Sequence, residues 1–365
     1  MMSLTTSLES NFWYLTGCNQ ADFYLTIDLE SGASTLFLPA YEADYALWHG
    51  NPPTCSEIHQ QFTWASQCLV VSDLASHLEK FKTVHVVERN EFASLSLPST
   101  LQINDAVLMD ALQESRVVKS DLEVELMQNA CNISSQAHVN LMKEIKKTFN
   151  QGLSERHYSA YFAHECGKQG GFIQAYGSIV GAGVRGAVLH SSPLEEAITC
   201  QGQDLMLVDA GCEFQYYASD ITRTFPFNGK FVDEYRDIYE IVLEANKTVI
   251  STMKVGTKWE DMHRLAEEII LQGLIKCGIL QGDVADLRKH KLAALFFPHG
   301  LGHLLGLDVH DSPKVAYPKG VERIPEPGIK YLRMRRDLVA GMVVTVEPGL
   351  YFVDAILQQA LGIDL

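Results

Sequence analysis

Residues 205–226 read Leu-Met-Leu-Val-Asp-Ala-Gly-Cys-Glu-Phe-Gln-Tyr-Tyr-Ala-Ser-Asp-Ile-Thr-Arg-Thr-Phe-Pro. Two runs of apolar and β-branched residues flank a more polar centre, which predicts two strands joined as an antiparallel hairpin. This pairing sets Asp209 directly opposite Asp220, with both carboxylates on one face. Adjacent carboxylates repel each other unless they share a proton or bind a cation. The pattern therefore favours a cation site; a turn cap or an ion pair with Arg223 is the structural alternative.

A second group of polar residues follows about eighty residues later. Pro298-His299-Gly300-Leu301-Gly302-His303 precedes Leu307-Asp308-Val309-His310-Asp311. Three histidines and two aspartates within thirteen residues, set among glycines, favour a site over simple packing. The spacing differs from the helical His-Glu-x-x-His of zinc proteases, so we expect a loop or an irregular strand here.

A third carboxylate lies in Val343-Val344-Thr345-Val346-Glu347-Pro348-Gly349, where the apolar neighbours of Glu347 predict burial. A buried glutamate needs a partner. Two aspartates, a glutamate and a histidine make an oxygen-rich ligand set, which suits Mn²⁺ and related divalent ions better than it suits a structural zinc ion, because structural zinc prefers thiolates. Paired ions of this kind activate water and polarise the carbonyl that it attacks.

The length of 365 residues predicts two domains. Residues 1–105 mix strand and helix patterns, including a hairpin over residues 24–38, and predict a small α/β domain. Residues 106–365 group amphipathic helices beside hairpin-connected strands, which predicts an α+β domain with an antiparallel sheet.

Local signals place three elements of this larger domain. A capping box of Ser120 with Glu123 begins a long helix that ends near Lys147, and a second box, Thr257 with Glu260, begins another. The run from Met342 to Phe352 has the composition of a strand.

The amino-acid composition bears on which classes of partner the protein can bind. The chain has 29 basic and 45 acidic residues, a formal charge of −16, and 47% hydrophobic residues. This charge disfavours nucleic acid and anionic membranes as partners. The first twenty residues have no Lys or Arg and no apolar core typical of a signal peptide, and eight cysteines are widely spaced. We therefore expect a cytoplasmic protein with reduced thiols.

Taken together, these motifs resemble the pita-bread metallopeptidases, in particular the prolidase and Xaa-Pro aminopeptidase branch and its eukaryotic Xaa-Pro dipeptidase type. The aspartate pair, the Pro-His-Gly-Leu-Gly-His run, the Asp-Val-His-Asp run and the Val-Glu-Pro-Gly run occur here in that family's order. Phe12-Trp13-Tyr14-Leu15-Thr16-Gly17 is similar to a segment of its N-terminal domain. The resemblance implies a catalytic domain with a curved antiparallel sheet.

The resemblance also implies roles for individual residues. Four residues would ligate two divalent ions, Mn²⁺ before Co²⁺ or Zn²⁺: Asp209, Asp220, His303 and Glu347. His310 and Glu347 would act in catalysis. Three residues would contact a proline-containing di- or oligopeptide: His190, His299 and Arg333, the last through the substrate's terminal carboxylate. The family further implies a homodimer.

The sequence departs from that family at both ends. The family's fifth ligand, a second glutamate in a Gly-x-Arg-x-Glu segment, lies several tens of residues beyond the Val-Glu-Pro-Gly run, whereas Leu365 follows Glu347 by eighteen positions. The N-terminal domain also begins late, so we expect truncation at both ends and weak or no activity for this chain.

Three functions follow from these observations. The first is a metallopeptidase that hydrolyses Xaa-Pro bonds, as a dipeptidase or an aminopeptidase. The second is a catalytically deficient homologue that binds peptides or acts in assembly because the fifth ligand is absent. The third is a metal-free hydrolase of the creatinase type, which the four retained ligands disfavour.

Overall fold

The computed structural model describes residues 9–88, 97–199 and 202–362. The chain divides into two compact units, Met1–Gln113 and Glu114–Leu365. No helix of the described residues is sufficiently long and apolar to cross a membrane. Seven of the eight cysteines are free thiols, and Cys200 lies outside the described residues.

The N-terminal unit mixes short strands with short helices. Its strands are β1 (Tyr24–Ile27), β2 (Ser34–Leu38), β3 (Gln67–Val70), β4 (Thr83–His85) and β5 (Gln102–Asn104). Its helices are α1 (Ser10–Thr16), α2 (Tyr45–His49), α3 (Cys55–Gln61), α4 (Leu74–Leu78) and α5 (Leu108–Val117), the last of which continues into the second unit. The predicted hairpin is confirmed as the antiparallel pair β1–β2, on which β3 adds in parallel. Leu36 and Leu38 of the central strand are buried in the core.

The C-terminal unit has longer helices and two small antiparallel sheets. Its helices are α6 (Asp121–Thr148), α7 (Glu155–Gly167), α8 (Asp233–Thr252), α9 (Trp259–Lys276), α10 (Val284–Lys289) and α11 (Asp354–Ala360). Its strands are β6 (Ile173–Gln174), β7 (Ile179–Ala182), β8 (Leu205–Asp209), β9 (Cys212–Phe214), β10 (Tyr217–Ala218) and β11 (Thr222–Pro226). One sheet has the order β11–β8–β7 and the other β10–β9–β6.

Of the two predicted capping boxes, the one at α6 forms and the one at α9 does not. Ser120 and Glu123 form the predicted capping box of α6. The second predicted box is wrong, because α9 has Lys258 as its N-cap without a side-chain bond. Its first residue, Trp259, is fully buried, so tertiary packing rather than a polar cap fixes where this helix begins.

The hairpin over residues 205–226 forms, but the predicted register is wrong by two residues. Asp209 pairs with Thr222 instead of Asp220. The reason is the turn, where Gln215 and Tyr216 both have positive φ, at 48° and 68°. Two such residues define the tight turn that matches strand twist, and neither residue type favours that conformation. Since side chains two apart share a face, Asp209 and Asp220 are diagonal neighbours on the same side.

The predicted strand from Met342 to Phe352 is not a regular strand. Its first part instead pairs with residues 301–305 through alternating backbone bonds. Thr345 N–H donates to the carbonyl of His303 at 2.9 Å, and Glu347 N–H to that of Leu301 at 2.7 Å. A single isolated antiparallel bridge joins Leu304 to Val344. We call residues 301–305 and 343–347 the distant pair, because they meet from far apart in the sequence.

Candidate metal centre

Three predicted ligands converge where the hairpin and the distant pair meet. Nε2 of His303 lies 3.2 Å from Oδ2 of Asp220 and 3.0 Å from Oε1 of Glu347. One ligand atom from each of these residues lies within 4.8 Å of the other two. Oε1 of Glu347 is buried, and the structure gives it no aligned hydrogen bond. A buried oxygen of this kind beside an imidazole and a second carboxylate fits a divalent cation site.

The backbone around His303 determines which ring nitrogen faces the carboxylates. Nδ1 lies 2.9 Å from the carbonyl oxygen of Leu304, which favours the tautomer that donates from Nδ1. Nε2 is then the ring nitrogen that faces the carboxylates and that would ligate a metal. Gly302 allows the close approach behind it, since a Cβ there would lie 2.1 Å from the carbonyl oxygen of Thr345. The distant pair therefore fixes both ring position and tautomer.

Asp209, the fourth predicted ligand, is joined to the others through Tyr176. The hydroxyl of Tyr176 lies 2.6 Å from Oδ1 of Asp209 and 3.0 Å from Oδ1 of Asp220. The register of β6 against β9, in which Gln174 faces Cys212, brings the tyrosine to this position. Tyr176 thus aligns the outer oxygens of both carboxylates. Asp209 itself lies outside the three-residue cluster.

The electrostatics of the site also favour a cation. Burial and the neighbouring Asp220 raise the pKa of Asp209 to about 6. Burial alone would lower the pKa of His303, but Asp220 and Glu347 outweigh it and raise this pKa to about 10. Burial acts to raise the pKa of Glu347, and His303 holds it below the usual range. Since the carboxylates stabilise positive charge between them, these residues fit a divalent ion.

His310 lies beside the cluster, with its ring 4.5 Å from that of His303 and nearly perpendicular to it. Burial, together with the neighbouring His303 and Arg333, lowers the pKa of His310 to about 4, although Asp220 and Glu347 oppose the shift. The guanidinium of Arg333 is therefore close enough to act on His310. Its side chain is exposed, and no carboxylate among the described residues forms an ion pair with it.

Buried ion pairs hold the loop that carries His310. Arg116 donates to Asp308 and Asp311 at 2.5 Å, and Nζ of Lys119 donates to Asp311 at 2.7 Å. Arg116, Lys119 and Asp311 are almost fully buried. The two aspartates flank His310, so this network fixes the loop on both sides of the histidine.

His299 lies two residues before the distant pair. Its Nε2 is 3.2 Å from the hydroxyl of Tyr351. Burial lowers the pKa of His299; the carbonyl of Gly300 and Glu347 oppose this, and His263 and His190 add to it. His190 is thus near enough to His299 to act on it, although it is exposed on its own segment. The roles predicted for these residues stay predictions.

Sequence reasoning missed three of these residues: Tyr176, Arg116 and Lys119. Each acts through a carboxylate distant in the sequence, so no local spacing identifies it. For Arg116 and Lys119, the one signal in the sequence is their position in the run Arg116-Val117-Val118-Lys119, directly before the capping box of α6.

Comparison with known proteins identifies the family of the chain. Residues 125–364 match the family described as metallopeptidase family M24. The chain belongs to metallopeptidase family M24. Residues 7–87 match the domain described as aminopeptidase P, N-terminal domain. The predicted fold class, a pita-bread catalytic domain after a smaller N-terminal domain, is confirmed.

Relatives of this M24 chain are named as peptidases. It is 40% identical to the Xaa-Pro dipeptidase of Rattus norvegicus, over 97% of this chain and 73% of that protein. It is 39% identical to a probable Xaa-Pro aminopeptidase of Phaeosphaeria nodorum, over 97% of this chain and 75% of that one. These enzyme names give no support to the non-catalytic alternative.

Solved structures show the same relationship. Aminopeptidase P of Escherichia coli in its low-pH form matches with a TM-score of 0.78 and 31% identity, over 94% of this chain and 78% of that chain. A zinc-substituted form of the same E. coli enzyme, in complex with product, matches with a TM-score of 0.76 and the same identity and coverage.

Proposed function

We propose that this M24 metallopeptidase hydrolyses Xaa-Pro peptide bonds with divalent metal ions held by Asp209, Asp220, His303 and Glu347. The observation that carries this proposal is the convergence of Asp220, His303 and Glu347 within 4.8 Å in a chain of this family. The names of its dipeptidase and aminopeptidase relatives support the choice of substrate.

Different residues of the chain have different roles in the proposed hydrolysis. Bound divalent ions supply Lewis acidity and lower the pKa of water. Glu347 takes up the proton of the attacking water and passes it to the proline nitrogen that leaves. His310 is neutral near pH 7 and donates an N–H to the carbonyl oxygen as that oxygen gains negative charge. His190 and His299 line the peptide's path.

Arg333 provides a basis for choosing between a dipeptidase and an aminopeptidase. Its exposed guanidinium is near His310 and has no carboxylate partner in the described ranges. A guanidinium binds a carboxylate through two parallel hydrogen bonds. We therefore propose that Arg333 binds the terminal carboxylate of an Xaa-Pro dipeptide. Arg333→Met should then raise KM for Ala-Pro while leaving Ala-Pro-amide, which has no carboxylate, almost unaffected.

Hydrolysis of Ala-Pro by the metal-free protein, with and without added Mn²⁺, tests the proposal. We expect turnover that requires the ion and disappears in Asp220→Ala. Asp233→Ala is the matched control, because it removes an exposed carboxylate on α8 far from any ligand role. A folded Asp220→Ala protein with unchanged turnover would refute the proposal.

Metal stoichiometry tests the finer claim of two ions. We propose two per chain, with Mn²⁺ preferred, and metal analysis after dialysis distinguishes two ions from one. Cytoplasmic location and a homodimer are also proposals, which fractionation and sedimentation velocity would test.

A further inference from the structure

A single buried carboxylate holds both ends of the segment that carries His190. This segment, residues 182–194, leaves β7 at Ala182 and returns to α7 at Leu194. Oε1 of Glu155 accepts the N–H of Ala182 at 2.9 Å, and Oε2 accepts the N–H of Leu194, also at 2.9 Å. One side chain thus closes a loop of thirteen residues.

Arg185 joins the same carboxylate from within the loop. Its Nε lies 3.0 Å from Oε1 and 3.1 Å from Oε2 of Glu155. Its Nη2 reaches across the loop to the carbonyl oxygen of Ser192 at 2.8 Å. The guanidinium therefore links the first part of the loop to its last part. The bonds that hold the segment converge on Glu155 and Arg185.

The burial of Glu155 stabilises the closed loop. Glu155 is the first residue of α7 and is 2% exposed. A buried carboxylate that loses its donors pays a large desolvation cost, so the charged side chain favours the closed loop. The part of the loop between the two ties is open to solvent, with Val188 and His190 exposed. His190 contributes to the lowered pKa of His299, which puts the two side chains within electrostatic range of each other.

We propose that Glu155, acting through Arg185, is a positioning residue that holds the His190 segment in the conformation used for substrate binding. The carboxylate of Glu155 accepts hydrogen bonds from Ala182, Arg185 and Leu194, all of which belong to this segment. The inference rests on the proposed function, since it takes His190 as a substrate contact.

Kinetics of Glu155→Gln and Arg185→Met on Ala-Pro test this role. Both variants should raise KM about tenfold or more, with kcat and metal content close to those of the unaltered protein, because loop position affects binding before chemistry. Arg185→Lys keeps one donor and should recover part of the loss. Glu165→Gln is the matched control, since Glu165 is also buried on α7 but bonds Asn140 and Lys168, away from the loop. It should leave KM unchanged.

Hydrogen exchange separates failure of this inference from failure of the proposed function. The amides of Ala182 and Leu194, which donate to Glu155, should exchange faster in both variants, whether or not the protein hydrolyses Ala-Pro. Unchanged exchange and unchanged KM in Arg185→Met would overturn the proposal, even if Glu155→Gln fails to fold. Equal losses of kcat and metal would also overturn it, because they would indicate a general structural role. If the unaltered protein has no activity, faster exchange still supports the clamp while the proposed function fails.

Discussion

Two antiparallel pairs supply the predicted ligands, and they are stabilised in different ways. The hairpin joins neighbouring stretches of the chain: β8 and β11 form five paired positions, and the chain reverses between them at Gln215 and Tyr216. The distant pair joins Leu304 to Val344, forty residues apart, through one bridge and a few backbone bonds. Closing a long loop costs more entropy than closing a short one. The distant pair therefore depends on support from outside itself.

That support comes from buried polar contacts. The indole N–H of Trp259 donates to the carbonyl of Gly302 at 3.3 Å, and the N–H of Lys119 to that of Gly341 at 2.8 Å. Arg116 and Lys119 fix Asp311 beside His310. His303 and Glu347 thus depend on residues far from them in the sequence, whereas the aspartates depend on their own hairpin together with the hydroxyl of Tyr176.

Removing the central carboxylate of the ion network should have the largest effect on stability. Asp311→Ala leaves the cations of Arg116 and Lys119 buried without this partner. We expect a loss of about 3–5 kcal/mol in the free energy of unfolding, measured in urea. Glu114→Gln, which alters an exposed pair with Arg336, is the control and should cost at most about 1 kcal/mol. Equal small losses would show that the network does not support the distant pair.

Low pH should reduce the stability of the protein through His138, which contacts the hairpin. Its Nε2 lies 3.0 Å from the carbonyl of Ala210, and burial lowers its pKa to about 4, with Arg223 adding to the shift. The unfolded chain has a histidine pKa near 6.5, so it binds the proton more readily than the folded protein does. Stability from this group is full above about pH 6.5 and falls as pH drops towards 4, by on the order of 2–3 kcal/mol.

His138→Gln keeps a donor for Ala210 but cannot take up this proton. The free energy of unfolding, measured in urea between pH 4 and 6.5, should therefore depend less steeply on pH in the variant than in the unaltered protein. This interval lies between the folded and unfolded pKa values of His138. Parallel curves for the two proteins would contradict the assignment to His138.

Crowding the distant pair should reduce stability and metal binding together. A Cβ at Gly302 would meet the carbonyl oxygen of Thr345, so Gly302→Ala separates the strands that carry His303 and Glu347. We expect a loss of about 1–3 kcal/mol in the free energy of unfolding and weaker Mn²⁺ binding. Gly167→Ala has open space around its new Cβ and serves as the control. Unchanged Mn²⁺ affinity in Gly302→Ala would mean that the distant pair does not set the ligand geometry.

Loss of the Tyr176 hydroxyl should affect metal affinity more than stability. Tyr176→Phe frees one oxygen of each aspartate, and an outer-sphere contact of this type is worth roughly 10–100-fold in metal affinity. Tyr158→Phe removes a buried hydroxyl bonded to Thr148, without contact to a predicted ligand. Isothermal titration with Mn²⁺ should separate the two variants, and equal affinities would rule out this role for Tyr176.

The sequence predicts the local parts of this architecture well. The capping box at Ser120, the β1–β2 hairpin and the existence of the Asp209 hairpin depend on neighbouring residues. The register of that hairpin does not, because Gln215 and Tyr216 take up positive φ values that their residue types disfavour. Tyr176 and Arg116 could not be predicted, since each meets its carboxylates only after distant segments pair.

Mn²⁺ titration of the metal-free protein, compared with its His303→Ala variant, tests the central claim most directly. If the hairpin and the distant pair together build a divalent metal centre, the unaltered protein binds Mn²⁺ and the folded variant loses most of that affinity. Equal binding by the two proteins, or none by a folded unaltered protein offered Mn²⁺, Co²⁺ and Zn²⁺ in turn, would contradict it.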